Sequence, residues 1–297
     1  VCLAILLFSM PEGPLQTFEI GLRDSKFSLG SFDWGVGTST FWVCLIYGVF
    51  TNLQNYGIDQ NYVQRYHTAK TEKEAKDAAL FGGLLFIPVS AVFFLIGTAL
   101  FAYYQVMPDP AVTEYVANGN PDYVFPYFMV HSLPQGLTGL LIASVFAAGM
   151  STVATSVTSC ATILYTDYYK KIRKNASDKE SLITLKASSI LVGAIGVVVA
   201  LALTNVESIL DAWWILSSVF SGGMLGLFLL GYMSRKVKNI HAFLGVLVGF
   251  IVIAWISAAD WIGLPPSGLH GYLAIVLGTV SIFVVGFALA ILIPRKA

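Results

Sequence analysis

The sequence predicts an all-α, multi-pass transmembrane helical bundle, and three observations predict it. Mean hydropathy is +0.74, with 56% hydrophobic and only 11% charged residues, whereas a soluble domain carries about 25% charged residues. Seven apolar runs reach the ~20 residues that a bilayer requires of a helix, and they lack the alternation of membrane β-barrel strands. The basic residues, finally, fall in every second loop.

In chain order, Val1–Met10 reads as the tail of a span. Full spans follow at roughly Trp34–Gln54, Ala79–Tyr104, Leu137–Tyr165, Ile183–Leu203, Ser208–Tyr232, Ile240–Ile262 and Gly271–Ile293. Together, residues 1–297 read as one transmembrane domain, expected to be a fragment that lacks its N-terminal part because Val1 already lies inside an apolar run. Arg65, Lys70, Lys73 and Lys76 follow the first full span. The group from Lys170 to Lys186 follows the third, Arg235, Lys236 and Lys238 follow the fifth, and Arg295 and Lys296 follow the last. Only Arg23 and Lys26 lie on the opposite side. The positive-inside rule therefore puts loops 55–78, 166–182 and 233–239 and the C-terminus in the cytoplasm of a plasma (inner) membrane protein. Asn175-Ala-Ser is a glycosylation sequon on that same inner side, so it is expected to be unused.

Several function classes are disfavoured by the same reading. Net charge is zero, which gives no basis for a nucleic-acid partner. Cys2, Cys44 and Cys160 sit in apolar segments as small buried hydrophobes, and His67, His131, His241 and His270 stand singly, so neither a disulfide framework nor a metal cluster is indicated. No nucleophile–base pair suggests an enzyme, and no cofactor is implied. Glu207, Asp211 and Asp260 lie near outer span ends, so no intramembrane carboxylate chain suggests proton coupling.

Polar residues at membrane depth concentrate in two places. On a 3.6-residue period Ser144, Ala148, Ser151, Thr152, Thr155, Ser159, Thr162 and Thr166 share one helix face. A small, neutral, oxygen-bearing face serves either close helix packing or coordination of a hard cation. Asn52, Gln54, Asn55, Asp59 and Gln60 bracket Gly57 at the end of the first full span. That pattern fits either a helix broken at Gly57 and facing a cavity or an ordinary helix end at the interface. Trp213 and Trp214 fit either an aromatic belt or a stacking surface. Gly222, Gly223 and Gly226 suggest close helix packing, and Gln105–Gly136 reads as an outer connector or a short lid.

Four motifs add a resemblance. Gly57-Ile-Asp-Gln-Asn-Tyr-Val-Gln-Arg65, Ala69-Lys-Thr-Glu-Lys-Glu-Ala75, Ala148-Gly-Met-Ser-Thr152 and Tyr165-Thr-Asp-Tyr168 together resemble the sodium:solute symporter family, over the whole chain. The resemblance implies a leucine-transporter type fold of two inverted five-helix repeats. Val1–Met10 then matches the end of core helix five, the first full span broken helix six, and the hydroxyl stripe helix eight. It implies a sodium site at the Ala148 carbonyl and the Ser151 and Thr152 hydroxyls, completed by a helix that precedes Val1. A second ion would use the positions of Ala154 and Thr155, of which only Thr155 carries an oxygen side chain. Asn52 matches a sugar-contacting Asn of galactose-type members, Asn55 the aromatic gate position with Tyr56 beside it, and Trp214 a position that holds Gln in those members. Leu85–Phe86 stands where they carry Lys, so a glucose or galactose substrate is not implied. The expected function is sodium-coupled symport of a small organic solute (sugar, sialic acid or organic acid class) by alternating access, with Na⁺ as the coupling ion. A membrane sensory module built on the same fold is the alternative, marked by signalling sequence beyond residue 297.

Overall fold

A computed structural model describes residues 1–204, 209–234, 237–259 and 263–292, without the side chains of 209–216, 218–220 and 258. The chain is all-helical, and it divides into two compact units, Val1–Ser28 with Ala69–Ser156 and Leu29–Thr68 with Val157–Ala297.

The first unit opens with α1 (Cys2–Phe8) and α2 (Pro14–Arg23), the latter started by Pro14 at its first position. The other unit's α3 (Phe41–Ile58) and α4 (Gln60–Tyr66) intervene before α5 (Glu72–Val106). Thr71 caps α5 by accepting from Glu74 N at 3.2 Å, and Pro88 inside the helix removes one backbone donor. At 35 residues α5 runs about 52 Å, longer than a hydrocarbon core, so its ends extend past the membrane. Cys2 and Leu6 of α1 pack on Ala99 and Leu100 of α5 together with Phe128 and Leu133, which builds the core at the C-terminal end of α5.

The connecting segment 105–136 is ordered by its own bonds. Asp109 caps α6 (Pro110–Ala117) through Ala111 N at 2.9 Å and accepts from the Tyr127 hydroxyl at 3.0 Å. A 3-10 turn (Pro121–Tyr123) leads into α7 (Val124–His131), whose Phe128 is 1% exposed. The connector is thus a pair of short helices pinned to α5. At the same end Gln105 accepts from Arg23 at 2.9 Å and donates to Asp24 at 3.1 Å. The Arg23 hydrogen bond, then that of Gln105, holds the Asp24 carboxyl below the ordinary range. The long α8 (Gln135–Ile163) begins in this unit, continues into the second, and runs on through a π-helical turn (Leu164–Tyr169) to α9 (Lys170–Ile172).

In the second unit α10 (Asp178–Ala202) starts from a capping box between Ser177 and Glu180. α11 (Ile209–Met233), α12 (Asn239–Ala258) and α13 (Leu273–Leu292) pack into a trio. Its closeness comes from glycines: Ile282 of α13 sits where any Cβ on Gly226 or Gly249 would stand, 2.8 and 2.2 Å from its side-chain atoms. The Thr279 hydroxyl donates to the Gly222 carbonyl at 3.2 Å across the same seam.

Two sequence expectations change. The first full span was expected from Trp34, but α3 starts only at Phe41, capped by Thr40. Residues before it are held as an irregular docking segment. The Val36 carbonyl accepts from His270 N at 2.8 Å, and a Cβ at Gly37 would lie 2.9 Å from the Gly268 carbonyl. Trp34 stacks on Trp42 at 4.5 Å and 5°, which folds the segment back along α3. Moreover, among the described residues five helical stretches are long and apolar enough to cross a bilayer: Glu72–Val106, Gln135–Ile172, Asp178–Ala202, Asn239–Ser257 and Leu273–Leu292. The span expected at Ser208–Tyr232 forms α11, but the side chains of its first half lie largely outside the described residues. α3 falls outside that group because its last two turns hold Thr51, Asn52, Gln54 and Asn55.

His270 links this docking segment to α13. Its Nδ1 accepts from Tyr272 N at 3.3 Å, its ring meets that of Tyr272 edge-on at 4.4 Å, and burial holds the imidazole below its ordinary value. The folded state therefore binds fewer protons than the unfolded one, and the contribution of His270 is complete above the unfolded value of about 6.5. It is lost as pH falls below that. The thermal midpoint is expected to drop between pH 7.5 and 5.5. His270→Asn, which retains an acceptor for Tyr272 N without titrating, is expected to flatten that drop.

Candidate functional site

Ala148, Ser151 and Thr152 lie on an unbroken stretch of α8 and are exposed, and Thr155 one turn on is half-buried. The helix forms because Leu, Val, Ala and Met fill the remaining positions, while the hydroxyls turn back on their own backbone. Thr152 Oγ1 donates to the Ala148 carbonyl at 3.1 Å and Thr155 Oγ1 to the Ser151 carbonyl at 2.9 Å. Ser144, Thr162 and Thr166 make the same bond to Leu140, Thr158 and Thr162. Such back-bonding satisfies a hydroxyl proton without using the oxygen's lone pairs. A helix face so arranged still presents acceptor oxygens. A cation held by both Ala148 O and Thr152 Oγ1 would take the place of the hydroxyl proton now between them.

The polar end of the first span is a broken helix, but the break is not at Gly57. Gly57 is an ordinary helical residue of α3 with open space around it. The break falls at Asp59, whose φ −69°, ψ 123° ends α3 and whose carboxylate accepts from Asn61 N at 2.7 Å to start α4. An Asp between two turns of amides is an N-cap signal, and that preference decides the position over the conformational freedom of the glycine. Asn52, Asn55 and Tyr56, spaced i, i+3 and i+4, share one face of α3. Asn52 Nδ2 donates to the Gly48 carbonyl at 2.7 Å, a bond that does not use its amide oxygen. The Tyr56 carbonyl accepts from the Tyr66 hydroxyl at 3.1 Å, and its ring lies 5.1 Å from that of Tyr62. Trp214 lies in α11 with its side chain outside the described residues.

Ser159 departs from the rest of the stripe. It is 5% exposed, donates to Asn61 Oδ1 at 2.7 Å and accepts from Gln64 Nε2 at 3.3 Å. Ser159 lies 98 and 95 positions from these two partners in sequence, so no local pattern points to the pairing. A separate cavity of about 1090 Å³ at the C-terminal end of α5, lined by Lys26, Phe101, Val112 and Phe125 among others, contains none of the sequence-predicted site residues. Among the described residues no group of His, Cys, Asp and Glu could hold a metal ion.

The model of the sodium:solute symporter family matches residues 26–249. The sodium/sialic acid symporter of Aliivibrio fischeri is 30% identical over 289 residues, 96% of this chain and 55% of that protein. The bovine sodium-coupled monocarboxylate transporter 2 is 34% identical over 232 residues, 77% of this chain and 37% of that protein. A solved substrate-bound, outward-open Na⁺-coupled sialic acid symporter superposes with a TM-score of 0.83 at 29% identity, over 99% of this chain and 59% of that one. The chain thus spans about half the length of the sialic acid symporters it matches. These relatives are sodium-coupled transporters and not enzymes, and the structural likeness is to a symporter of the leucine-transporter type fold. On the family match and the 30% identity that spans nearly all of it, this multi-pass membrane chain belongs to the sodium:solute symporter family.

Proposed function

We propose that the protein works as a Na⁺-driven symporter of a small organic acid, by alternating access. The observation that carries this reading is the neutral oxygen face of Ala148, Ser151 and Thr152 on an apolar, membrane-length helix in a member of a sodium symporter family. Na⁺ is a hard cation that prefers oxygen ligands, and a face without carboxylates binds it weakly enough to release it inside. Thr155 is the further oxygen that a second ion would use. Each Na⁺ moving inward gains about 2.3 kcal/mol per 100 mV of membrane potential, which drives the solute.

Asn52, Asn55 and Tyr56 line the solute path beside the break at Asp59, and Trp214 of α11 is a further solute residue on the family resemblance alone. The relatives carry sialic acid or monocarboxylates, solutes that share a carboxylate, which favours an organic acid over a neutral sugar. Uptake of sialic acid or a short monocarboxylate by the full-length protein in proteoliposomes is expected to require external Na⁺. Equal uptake with choline in its place would overturn the reading.

The basic loops, 55–78, 166–182 and 233–239, face the cytoplasm with the C-terminus. With Cys2, Cys44 and Cys160 replaced by Ala, Asn175→Cys is expected to react with a membrane-impermeant maleimide in inside-out vesicles and not in intact cells. Labelling of intact cells would invert the orientation.

A further inference from the structure

We propose that Ser159, Asn61 and Gln64 are positioning residues that transmit the ion's presence on α8 to the broken span, an inference that rests on the symport reading above. α4 has seven residues, too few to hold a helix by its own hydrogen bonds. Asp59 fixes its start through Asn61 N, and the Asn61 side chain is itself fixed by Ser159. Asn61 and Gln64, three residues apart, present one face of α4, and both close on a single hydroxyl that donates to one and accepts from the other. Ser159 is buried, so water competes poorly for these bonds.

The consequence is mechanical. The backbone at the break is tied through Asp59 and Asn61 to a fixed height on α8, and the helix bearing Ala148, Ser151 and Thr152 is continuous as far as Ile163. A shift of α8 on ion binding therefore displaces the start of α4, whereas α3 is anchored separately by Val43 against Leu273 and Val276. Asn52, Asn55 and Tyr56 lie directly before that joint. The tie makes the geometry of the solute helix depend on the ion.

The test uses the full-length protein with Na⁺ alone as the probe. A single cysteine at the exposed Tyr62 (Tyr62→Cys, other cysteines replaced) reports on α4 by its maleimide labelling rate. In the parent, Na⁺ in place of choline is expected to change that rate by about three- to tenfold, the range that one or two hydrogen bonds allow. Ser159→Ala is expected to bring the ratio near one while Na⁺ still raises the thermal midpoint, and Ser159→Thr to restore the ratio. A Ser159→Ala protein whose labelling keeps its Na⁺ dependence would overturn the proposal, as would a parent whose labelling ignores Na⁺. Loss of the Na⁺ thermal shift in Ser159→Ala would also overturn it, by placing the residue in the ion site. Asn61→Ala cuts the same tie from α4 and must reproduce the result if Ser159→Ala does not fold. Failure of both to fold would assign the cluster to folding instead. Uptake that is Na⁺-dependent in the parent separates a failure of this inference from a failure of symport.

Discussion

Thr152→Ala is expected to raise the Na⁺ concentration for half-maximal uptake by about tenfold to a hundredfold, the scale of a lost contact to a charged group. Ser151→Ala is expected to act in the same direction. Thr152→Ser, which keeps the oxygen and discards the methyl, should stay near the parent. Val153→Ala, one position off the stripe and 62% exposed, provides the control with no change in Na⁺ dependence. The measurement is initial uptake across a Na⁺ titration at fixed membrane potential. Packing predicts a different outcome, because Thr152 spends its proton on the Ala148 carbonyl. Removing a back-bond of that kind would alter stability equally at every Na⁺ concentration and leave the half-maximal value in place. A thermal midpoint that falls by the same amount with and without Na⁺, at unchanged ion affinity, would return these residues to packing.

Gly226→Val is expected to destabilise the α11–α13 seam by about 3 kcal/mol, at the upper end of ordinary overpacking. The added Cβ would stand 2.8 Å from both the Ile282 Cβ and the Thr279 carbonyl, and the backbone atom has no rotamer with which to withdraw. The helices must separate, and the Thr279–Gly222 hydrogen bond is lost with them. The measurable result is a lowered thermal midpoint and a lower folded yield in detergent. Gly196→Ala on α10, where an added Cβ meets nothing within 4 Å, serves as the contrast and is expected to stabilise by about 0.5–1 kcal/mol through helix propensity. A Gly226→Val protein that melts with the parent would show that this seam is loose.

Hydropathy made the long helices legible but not their starts. Spans expected from Ala79 and Ile183 begin earlier, at Glu72 and Asp178, where Thr71 with Glu74 and Ser177 with Glu180 cap them outside the apolar runs. The start of the first full span was not legible, since Trp34 and Val36 are apolar residues recruited to dock an irregular segment and not to enter lipid. Hydropathy has no way to distinguish those uses. The sequence left a break at Gly57 and an ordinary helix end both open, and it was the cap at Asp59 that decided between them and set the place. On the stripe, periodicity presented eight equivalent positions. Only the family motif separated Ala148, Ser151 and Thr152 from them, and only tertiary structure separated Ser159. Its partners Asn61 and Gln64 are neighbours through folding alone.

The π-helical turn at Leu164–Tyr169 has a consequence for every residue after it. A π turn accommodates one residue more than an α turn, so the chain beyond is rotated by about 100° relative to an uninterrupted helix. The Tyr165 hydroxyl donates to Ser181 Oγ at 2.7 Å, and the Tyr165 and Tyr169 rings stack at 6.1 Å. Deleting a single residue from this turn would change length and composition almost imperceptibly. It would nonetheless swing Lys170, Lys171 and Arg173 a quarter of the way around the axis, so that a protein altered by one letter would turn a differently charged side outward at that end of the helix.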